Sequence, residues 1–502
     1  MMTFTKTIVV YLVFAITLMM NSKAQTNEQT KIDKFITSTL EKHKEIPGLA
    51  ISIIKYGKPF FTKAYGYSDL KSKNTTNLQT SYYIASVTKS FVGLMAAQLE
   101  EEVLFNLDDP ITKFAPIKNF KDNSVFKNIS IRDLLSHTSG IRNGLLTWKY
   151  ASIGEYTVSQ MITILKNKTG SRYNNKSYKY DNLGYNIFDL ILHEEFNLNW
   201  KEVLNNKIFN PLKMNHSTSY LSKAKKSNWD LAQPYTSLDK DNFPKLVLTK
   251  KNDQTFQAAG GMVSSIEDMQ QWLLMYMNSG TLSGKQLFSK RAISNTLIPV
   301  TKNEQQGTIF NNKGYGLGWN IGQFGDHKVN YHFGGFDGYF AHASFLPEEN
   351  IGIVILANEN QFGDNVSNLI ASFSYDLLLN NLSEIEGYDK QFQNLTNKIT
   401  SVQTAYKDDK DFRANRKWTL IHDFKNYQGT YVNKTIGSIV ISVSNDVMKA
   451  KLGISEAIAS PSTKDDSIRV EFRDGQGTDI LFISDESGTL AAVFGGNVYL
   501  KN

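Results

Sequence analysis

Cysteine is absent from the 502-residue sequence. Its absence excludes disulfide bonds, thiolate metal sites, cysteine nucleophiles and a lipid anchor attached to a cysteine. The chain is nevertheless long enough, at 41% hydrophobic residues, to bury a sizeable core. Because domains usually span about 100–250 residues, we expect more than one domain.

The sequence also lacks an N-terminal apolar run long enough for a membrane-spanning helix. Thr7–Met20 follows Lys6 and precedes the small residues of Ser22–Ala24, and it is shorter than the about 20 residues that a spanning helix needs. The pattern predicts a signal peptide over residues 1–24, with a mature chain that begins near Gln25; the alternative is an uncleaved anchor. Cleavage would leave no stable membrane anchor, and the lack of disulfides then favours a periplasmic or secreted protein of a bacterial envelope.

No single stripe of positive charge is present, although the formal net charge is +7. The lysines are scattered among acidic residues, and the short cluster at Lys223, Lys225 and Lys226 is typical of a solvated loop. We therefore expect no nucleic-acid partner. No metal site is predicted either, because His193–Asn197 (HEEFN) lacks the second histidine of a zinc-binding helix.

Strand patterns occur at both ends of the first three-quarters of the chain. Residues 49–54 and 60–65 read as two antiparallel strands, and residues 338–346 and 352–358 as two more. The region between them, 108–320, reads as mainly helical with irregular insertions. This order predicts an α/β (α+β) domain in which an antiparallel sheet is flanked by helices and interrupted by an inserted helical region.

The end of the chain has a different pattern. Residues 386–423 are polar and charged, which predicts a linker or a helical connector. Residues 424–502 alternate apolar and polar side chains between turns, which predicts a small, barrel-like antiparallel β domain. With the signal at 1–24, these boundaries leave residues 25–385 for the first domain.

A serine followed three positions later by a lysine places both side chains on one helix face, within hydrogen-bonding reach. Ser86 and Lys89 have this spacing, follow an apolar, strand-like approach and head an apolar helix predicted over 86–102. A helix start favours an oxyanion, and a buried lysine there can act as a base. The alternative is a capping serine beside a solvated lysine. The spacing also occurs at Ser52/Lys55, Ser68/Lys71, Ser124/Lys127, Ser222/Lys225 and Ser237/Lys240.

Further motifs distinguish the first of these pairs. In chain order they are Ile84–Phe91 (IASVTKSF), Asn106–Pro110 (NLDDP), Leu134–Gly140 (LLSHTSG), Ala259–Ser265 (AGGMVSS) and Gly314–Trp319 (GYGLGW). Together they closely resemble the β-lactamase-related serine hydrolases, a superfamily that includes class C β-lactamases, penicillin-binding proteins, D-aminopeptidases and esterases. The resemblance covers roughly residues 47–358.

The resemblance implies an acyl-enzyme on Ser86, with Lys89 and a tyrosine moving protons. Tyr180 and Asn182 fit the family's tyrosine–asparagine pair because a Leu-Gly-Tyr run and a helix follow them; Tyr173/Asn175 is the alternative, in a polar loop. Asn182 would hold the substrate's carbonyl. Asp181 departs from the serine usual between them, which alters the charge near the leaving group.

A third element follows at Tyr331–Gly335 (YHFGG) and resembles the family strand that carries Lys-Thr-Gly or His-x-Gly. His332 then takes the place of the lysine, and Gly334 and Gly335 would let a substrate approach the strand edge. The N–H groups of Gly335 and Ser86 would form the oxyanion hole. The alternative is a glycine-rich turn with a structural histidine.

The resemblance implies a small-molecule or peptide substrate, with no metal and no organic cofactor. A neutral imidazole is a poor anchor for a carboxylate, so His332 favours a peptidase or esterase acting on small acyl, D-amino-acid or peptidoglycan-like substrates. A class C-type β-lactamase is the first alternative, and a catalytically silent envelope protein that binds penicillin or peptidoglycan fragments is another. A third treats the C-terminal β domain as a lipocalin-like binder. The residues specify no oligomeric state.

Overall fold

A computed structural model describes residues 27–171, 176–484 and 490–502. The predicted signal peptide, the alternative pair Tyr173/Asn175 and one of the turns predicted within 424–502, at Ser487-Gly488, lie outside the described residues. Within the described ranges, the model has no helix with the length and apolar character needed to cross a membrane.

An antiparallel sheet forms the centre of the first part of the chain. Its strand order is β12-β13-β14-β15-β16-β17-β1-β2-β3, so the first strand lies between the last strand and the second. The strands of this part of the chain, in chain order, are β1 (Gly48–Lys55), β2 (Lys58–Asp69), β3 (Asn74–Thr75), β4 (Ser81–Tyr83), β5 (Ile141–Arg142), β6 (Gly170–Ser171), β7 (Tyr235–Thr236), β8 (Lys245–Leu246), β9 (Val263–Ser265), β10 (Thr281–Leu282), β11 (Lys285–Gln286), β12 (Thr301–Gln305), β13 (Asn311–Tyr315), β14 (Asn320–Phe324), β15 (His327–Phe336), β16 (Tyr339–Leu346) and β17 (Ile351–Ala357). The short strands β4–β11 lie outside the central sheet and form the separate pairs β4-β9, β5-β6, β7-β8 and β10-β11.

Helices cover both faces of this sheet. In chain order they are α1 (27–42), α2 (Thr88–Glu101), α3 (Ile131–Leu135), α4 (Gly144–Trp148), α5 (Val158–Lys168), α6 (Leu183–Phe196), α7 (Trp200–Leu204), α8 (Asn210–Leu212), α9 (Leu221–Lys226), α10 (Ile266–Met277), α11 (Lys290–Leu297), α12 (Gly363–Leu378), α13 (Leu382–Ile385), α14 (Tyr388–Ala414) and α15 (Phe424–Tyr427). Short 3-10 helices lie at Ala85–Val87, Ile111–Lys113, Ile117–Asn119, Ser124–Phe126 and Gln257–Ala259, and single π-helical turns at Lys149–Ile153 and Asn205–Phe209.

The sheet separates two hydrophobic cores, which explains why its central strands are apolar throughout. Along β1, Ala50 and Ile54 pack with α2 and α10 on one face, whereas Ile51 and Ile53 pack with α1, α12 and α14 on the other. Successive side chains of a strand point to opposite faces. A strand covered on both sides therefore reads as a continuous apolar run.

The region between β4 and β12 is mainly helical, as the sequence predicts, and carries α2–α11. The predicted α/β (α+β) class, with an antiparallel sheet, flanking helices and an inserted helical region, is thereby confirmed. Within 386–423 the structure has the helical alternative, because α14 occupies much of the segment. It packs against the sheet domain through Leu395 and Ile399.

The C-terminal part forms a second antiparallel sheet, in the order β21-β20-β19-β18-β26-β25-β24-β23-β22. Contacts between β21 and β23 bring its ends together, so the sheet is a nearly closed barrel, as predicted. Its strands are β18 (Gly429–Asn433), β19 (Gly437–Ser444), β20 (Val447–Leu452), β21 (Ser455–Ile458), β22 (Ser460–Pro461), β23 (Ser467–Arg473), β24 (Gln476–Ser484), β25 (Leu490–Phe494) and β26 (Asn497–Lys501). Alternate side chains fill its own core.

Candidate active site

Ser86 lies in the short helical turn that leads into α2. The strand before it, β4, pairs with β9, and the Ile84 N–H donates to the Met262 carbonyl at 3.0 Å. Ala85 has a left-handed backbone, with φ of 44°, a conformation that is costly for a residue with a Cβ and is concentrated at functional sites. The sharp turn leaves Ser86 partly exposed at the start of a buried helix.

Lys89 is fully buried one helical turn after Ser86. Its Nζ lies 3.0 Å from Ser86 Oγ, 2.7 Å from Asn182 Oδ1 and 2.6 Å from the Ala259 carbonyl. Burial lowers the Lys89 pKa well below its usual value, and the charge of Asp181 opposes this only in part. A neutral amine has two N–H groups and one lone pair. It can therefore donate to the two carbonyl oxygens and accept the proton of Ser86.

Tyr180 and Asn182 come from the loop that enters α6. The Tyr180 side chain hydrogen-bonds to Ser86, and its ring centroid is 4.9 Å from Lys89 Nζ. Tyr180 is 41% exposed, so one side of the ring borders the open site. Desolvation of its hydroxyl raises the pKa of the phenol, which is protonated at neutral pH. Between the two residues, Asp181 Oδ1 accepts the Leu183 N–H at 2.8 Å.

His332 is buried in β15, and the protein engages both of its ring nitrogens. Nδ1 donates to the Phe333 carbonyl at 2.7 Å, and Nε2 accepts from the Tyr315 hydroxyl at 3.1 Å. Burial, with a smaller effect of Lys89, lowers its pKa to about 3. His332 therefore lines the site as a neutral imidazole, and both of its ring nitrogens already have hydrogen-bond partners within the protein.

The two glycines of β15 have different surroundings. A Cβ at Gly334 would lie 2.0 Å from the Ile84 carbonyl and 3.0 Å from Ser86 N, so β15 lies directly against the turn of Ser86. Gly335 is exposed, and a Cβ there would meet only Phe340, at 3.9 Å. The pairing of β14 with β15 stops at Tyr331. The strand edge beyond it is therefore free of β14, beside Ser86 N.

Several aromatic residues complete the site, although the sequence analysis did not assign them to it. His137 accepts the Asp181 N–H on Nδ1 at 3.2 Å, and its ring centroid lies 4.3 Å from that of Tyr180 and 4.6 Å from that of Tyr315. The ring centroid of Tyr185 lies 5.4 Å from Lys89 Nζ. His137 and Tyr315 belong to LLSHTSG and GYGLGW, which served above only as flanking motifs. Of these rings, that of Tyr185 borders the buried amine of Lys89 directly.

The other serines with a lysine three positions later are engaged elsewhere. Ser52, Ser68, Ser124, Ser222 and Ser237 hydrogen-bond, respectively, to Gln270, Asp230, Asp122, Asp253 and the Glu45 carbonyl. Within the described residues, no cluster of three or more His, Asp or Glu side chains is arranged to bind a metal ion. The structure thus joins Ser86, Lys89, Tyr180, Asn182, His332, Gly334 and Gly335 in one site.

Comparisons with known proteins show the family of the chain. Residues 32–374 match the family model described as Beta-lactamase. "Protein flp" of Staphylococcus aureus is 28% identical over 79% of this chain and 76% of its own length. A protein named "Beta-lactamase" from Yersinia enterocolitica is 24% identical over 66% of this chain and 87% of its own.

A solved structure has the same fold. The octameric penicillin-binding protein homologue from Pyrococcus abyssi superposes with a TM-score of 0.60 and 24% identity. The match covers 94% of this chain and 99% of that one. The similarity therefore extends beyond the sheet domain into the C-terminal part.

Proposed function

Because the chain belongs to the beta-lactamase family of serine hydrolases, we propose that it is an exported enzyme that forms an acyl-enzyme on Ser86. It hydrolyses amide or ester bonds of small acyl, D-amino-acid or peptidoglycan-like substrates. The observation that carries this proposal is the environment of Lys89, a buried amine with three hydrogen-bond partners, one of them Ser86 Oγ. Export rests on the predicted signal over residues 1–24.

The geometry supports a two-step cycle. Neutral Lys89 takes the proton of Ser86 as Oγ attacks the carbonyl carbon, and the N–H groups of Ser86 and Gly335 stabilise the oxyanion. Tyr180, whose hydroxyl is hydrogen-bonded to Ser86, then protonates the leaving group. It regains a proton from Lys89. In the second step water attacks the acyl group, the same residues move its proton, and Ser86 is released.

His332 supports the choice of substrate class. Its imidazole is neutral and both nitrogens are engaged, so it gives no cation for a substrate carboxylate. A cavity of about 640 Å³ adjoins Tyr180 and is lined mainly by aromatic and amide side chains, among them Tyr178, Asn303 and Phe333. The charged residues Lys179 and Asp364 also line it. The neutral His332 favours a peptidase or esterase that acts on small acyl or D-amino-acid substrates.

A β-lactamase is the second candidate, favoured by the similarity to the Yersinia protein of that name. The same Ser86, Lys89 and Tyr180 chemistry would open a lactam ring. A catalytically silent protein that binds penicillin or peptidoglycan fragments agrees less well with the geometry. Binding alone needs neither a buried amine hydrogen-bonded to Ser86 nor the tyrosine beside it.

Product analysis by mass spectrometry tests the proposal. The mature protein is incubated with a penicillin, a cephalosporin, D-alanyl peptides, D-amino-acid amides and short acyl esters, next to a Ser86→Ala blank. Ser222→Ala, in another Ser-x-x-Lys run, is the matched control and should retain activity. Turnover lost only in the blank would identify the nucleophile and the substrate class. If the unmodified protein shows neither turnover nor a serine adduct, the proposal that it is an enzyme is rejected.

A further inference from the structure

Arg473 of the C-terminal barrel reaches the catalytic sheet. It ends β23, and its Nε and Nη2 donate to the two carboxylate oxygens of Asp337 at 2.7 and 2.5 Å. Two parallel bonds of this kind fix direction as well as distance. Asp337 is only 7% exposed, so a barrel cation neutralises a buried carboxylate of the other domain.

Asp337 lies two residues after Gly335, in the turn between β15 and β16. The Thr249 hydroxyl also donates to its carboxylate, and Lys251 Nζ donates to its backbone carbonyl at 2.6 Å. Lys251 Nζ in turn lies 4.9 Å from the ring centroid of Phe336. The turn that follows Gly335 is thus held through its side chain, its backbone and the neighbouring ring.

The barrel is anchored independently of Arg473. The Ile454 N–H donates to the Ile153 carbonyl at 2.9 Å, Lys149 Nζ donates to the Ile436 carbonyl at 2.6 Å, and the Leu248 N–H donates to Asp474 Oδ2 at 2.8 Å. Because these contacts fix the barrel on the sheet domain, Arg473 is presented to Asp337 from a rigid support.

We propose that Arg473 is a positioning residue for the oxyanion hole. By holding Asp337 it fixes the turn after β15, and through it the N–H of Gly335 beside Ser86. The proposal rests on the proposed function, in which Gly335 is an oxyanion donor. It gives the barrel a defined part in the reaction without contact with the substrate. Loss of Arg473 would leave the Asp337 carboxylate buried without its main partner, and the turn would rearrange.

Steady-state kinetics of Arg473→Met and Arg473→Lys, with a substrate from the panel above, test the proposal. We expect Arg473→Met to lower kcat by about 10- to 100-fold with KM changed less than about twofold, because a shifted donor weakens the transition state alone. Arg473→Lys should recover part of the loss, since lysine keeps the charge but not the two parallel bonds. Lys464→Met, which breaks an ion pair inside the barrel, is the matched control and should behave as the unmodified protein.

A double-mutant cycle separates this role from general destabilisation. Asp337→Asn combined with Arg473→Met should lower kcat no further than Arg473→Met alone, because both changes break one interaction. Fully additive losses in kcat would contradict the proposal. Thermal unfolding of each variant identifies any that fails to fold.

Hydrogen–deuterium exchange provides a readout that needs no turnover. Arg473→Met should speed exchange in peptides that span 333–340 and leave those of β17 unchanged, whereas Lys464→Met should alter neither. Unchanged exchange at 333–340 would overturn the proposal, and so would faster exchange with an unchanged kcat. If the unmodified protein neither turns over nor is acylated, the proposed function fails, and exchange still decides whether Arg473 fixes the turn.

Discussion

Asp181 is the carboxylate whose charge acts on Lys89. Burial raises the pKa of Asp181, while its hydrogen bond with the Leu183 N–H opposes this. When ionised, Asp181 raises the pKa of Lys89 and so opposes the desolvation that lowers it. A chain with a neutral residue at this position would keep its lysine uncharged down to a lower pH.

Asp181→Asn should therefore move the acid limb of the rate profile to lower pH. The proposed base must be neutral to accept a proton, so acylation rises as pH increases through the Lys89 pKa, which the substitution lowers. Asparagine retains an acceptor for the Leu183 N–H. The measurement is kcat/KM against pH, which reports the free enzyme, with Glu194→Gln, on the helix that follows Asp181, as control. An acid limb that stays in place or moves to higher pH would contradict the prediction.

At the residue scale, motifs could predict which side chains meet but not every hydrogen bond between them. Ser86 and Lys89 were predictable because their spacing places one above the other and the flanking motifs select this pair from the five others with the same spacing. The partner of His332 Nε2 was not, because it is the hydroxyl of Tyr315, on another strand. The hydrogen bond from Lys89 to the Ala259 carbonyl was not predictable either, since a main-chain acceptor has no signature in the sequence.

At the scale of the elements, β15 lies in direct contact with the turn that holds Ser86. Here a strand and a short helical turn approach so closely that no side chain fits between them at Gly334. One residue further, at Gly335, the surface is open. The same substitution at these two adjacent glycines therefore tests the contact, with Gly335 as the control for Gly334.

Gly334→Ala should destabilise the protein by about 1–3 kcal/mol and largely abolish acylation, because its Cβ would overlap the Ile84 carbonyl and displace the strand. Gly335→Ala should change stability by less than about 0.5 kcal/mol. Urea unfolding and the acylation rate of both variants check this. Equal effects of the two substitutions would show that β15 does not lie against the turn as described.

The elements themselves were predictable to different degrees. The helix predicted over 86–102 is α2, Thr88–Glu101, and its predicted start is instead the 3-10 turn Ala85–Val87, which holds Ser86. The strands predicted at 49–54 and 352–358 are β1 and β17. Their apolar patterns indicate two strands but do not specify that these two pair with each other across the whole domain. A long helix in 386–423 was one of two alternatives, because its polar sequence carries only a narrow apolar stripe, at Leu395 and Ile399.

For the whole molecule, buried histidines link folding to pH. Burial lowers the pKa of His43 to about 4, of His332 to about 3 and of His342 to about 4. In the unfolded chain each takes up a proton near pH 6.5. Between that pH and the lowered values, the unfolded state binds more protons, so stability is full above pH 6.5 and falls as pH decreases.

His342→Gln should make this fall shallower. One fully buried histidine with a folded pKa of about 4 accounts for roughly 2 kcal/mol of stability lost between about pH 7 and pH 5. Free energies of unfolding from urea titrations at the two pH values measure the difference, with His193→Gln, at an exposed position, as control. An unchanged difference in the His342 variant would refute the assignment.

The place of β1 between β17 and β2 also constrains how the protein is made. Gly48, at the start of β1, is 310 residues from the Asn358 side chain that accepts its N–H. A ribosome adding roughly 5–20 residues per second needs roughly 15 to 60 s to cover that distance. Throughout that interval β1 has only its hairpin partner β2, and α12 and α14, which cover one of its apolar faces, are synthesised only after β17. One edge of β1 is therefore unpaired until β17 is synthesised, and a stop codon anywhere before Ile351 would leave this interior strand without its second partner.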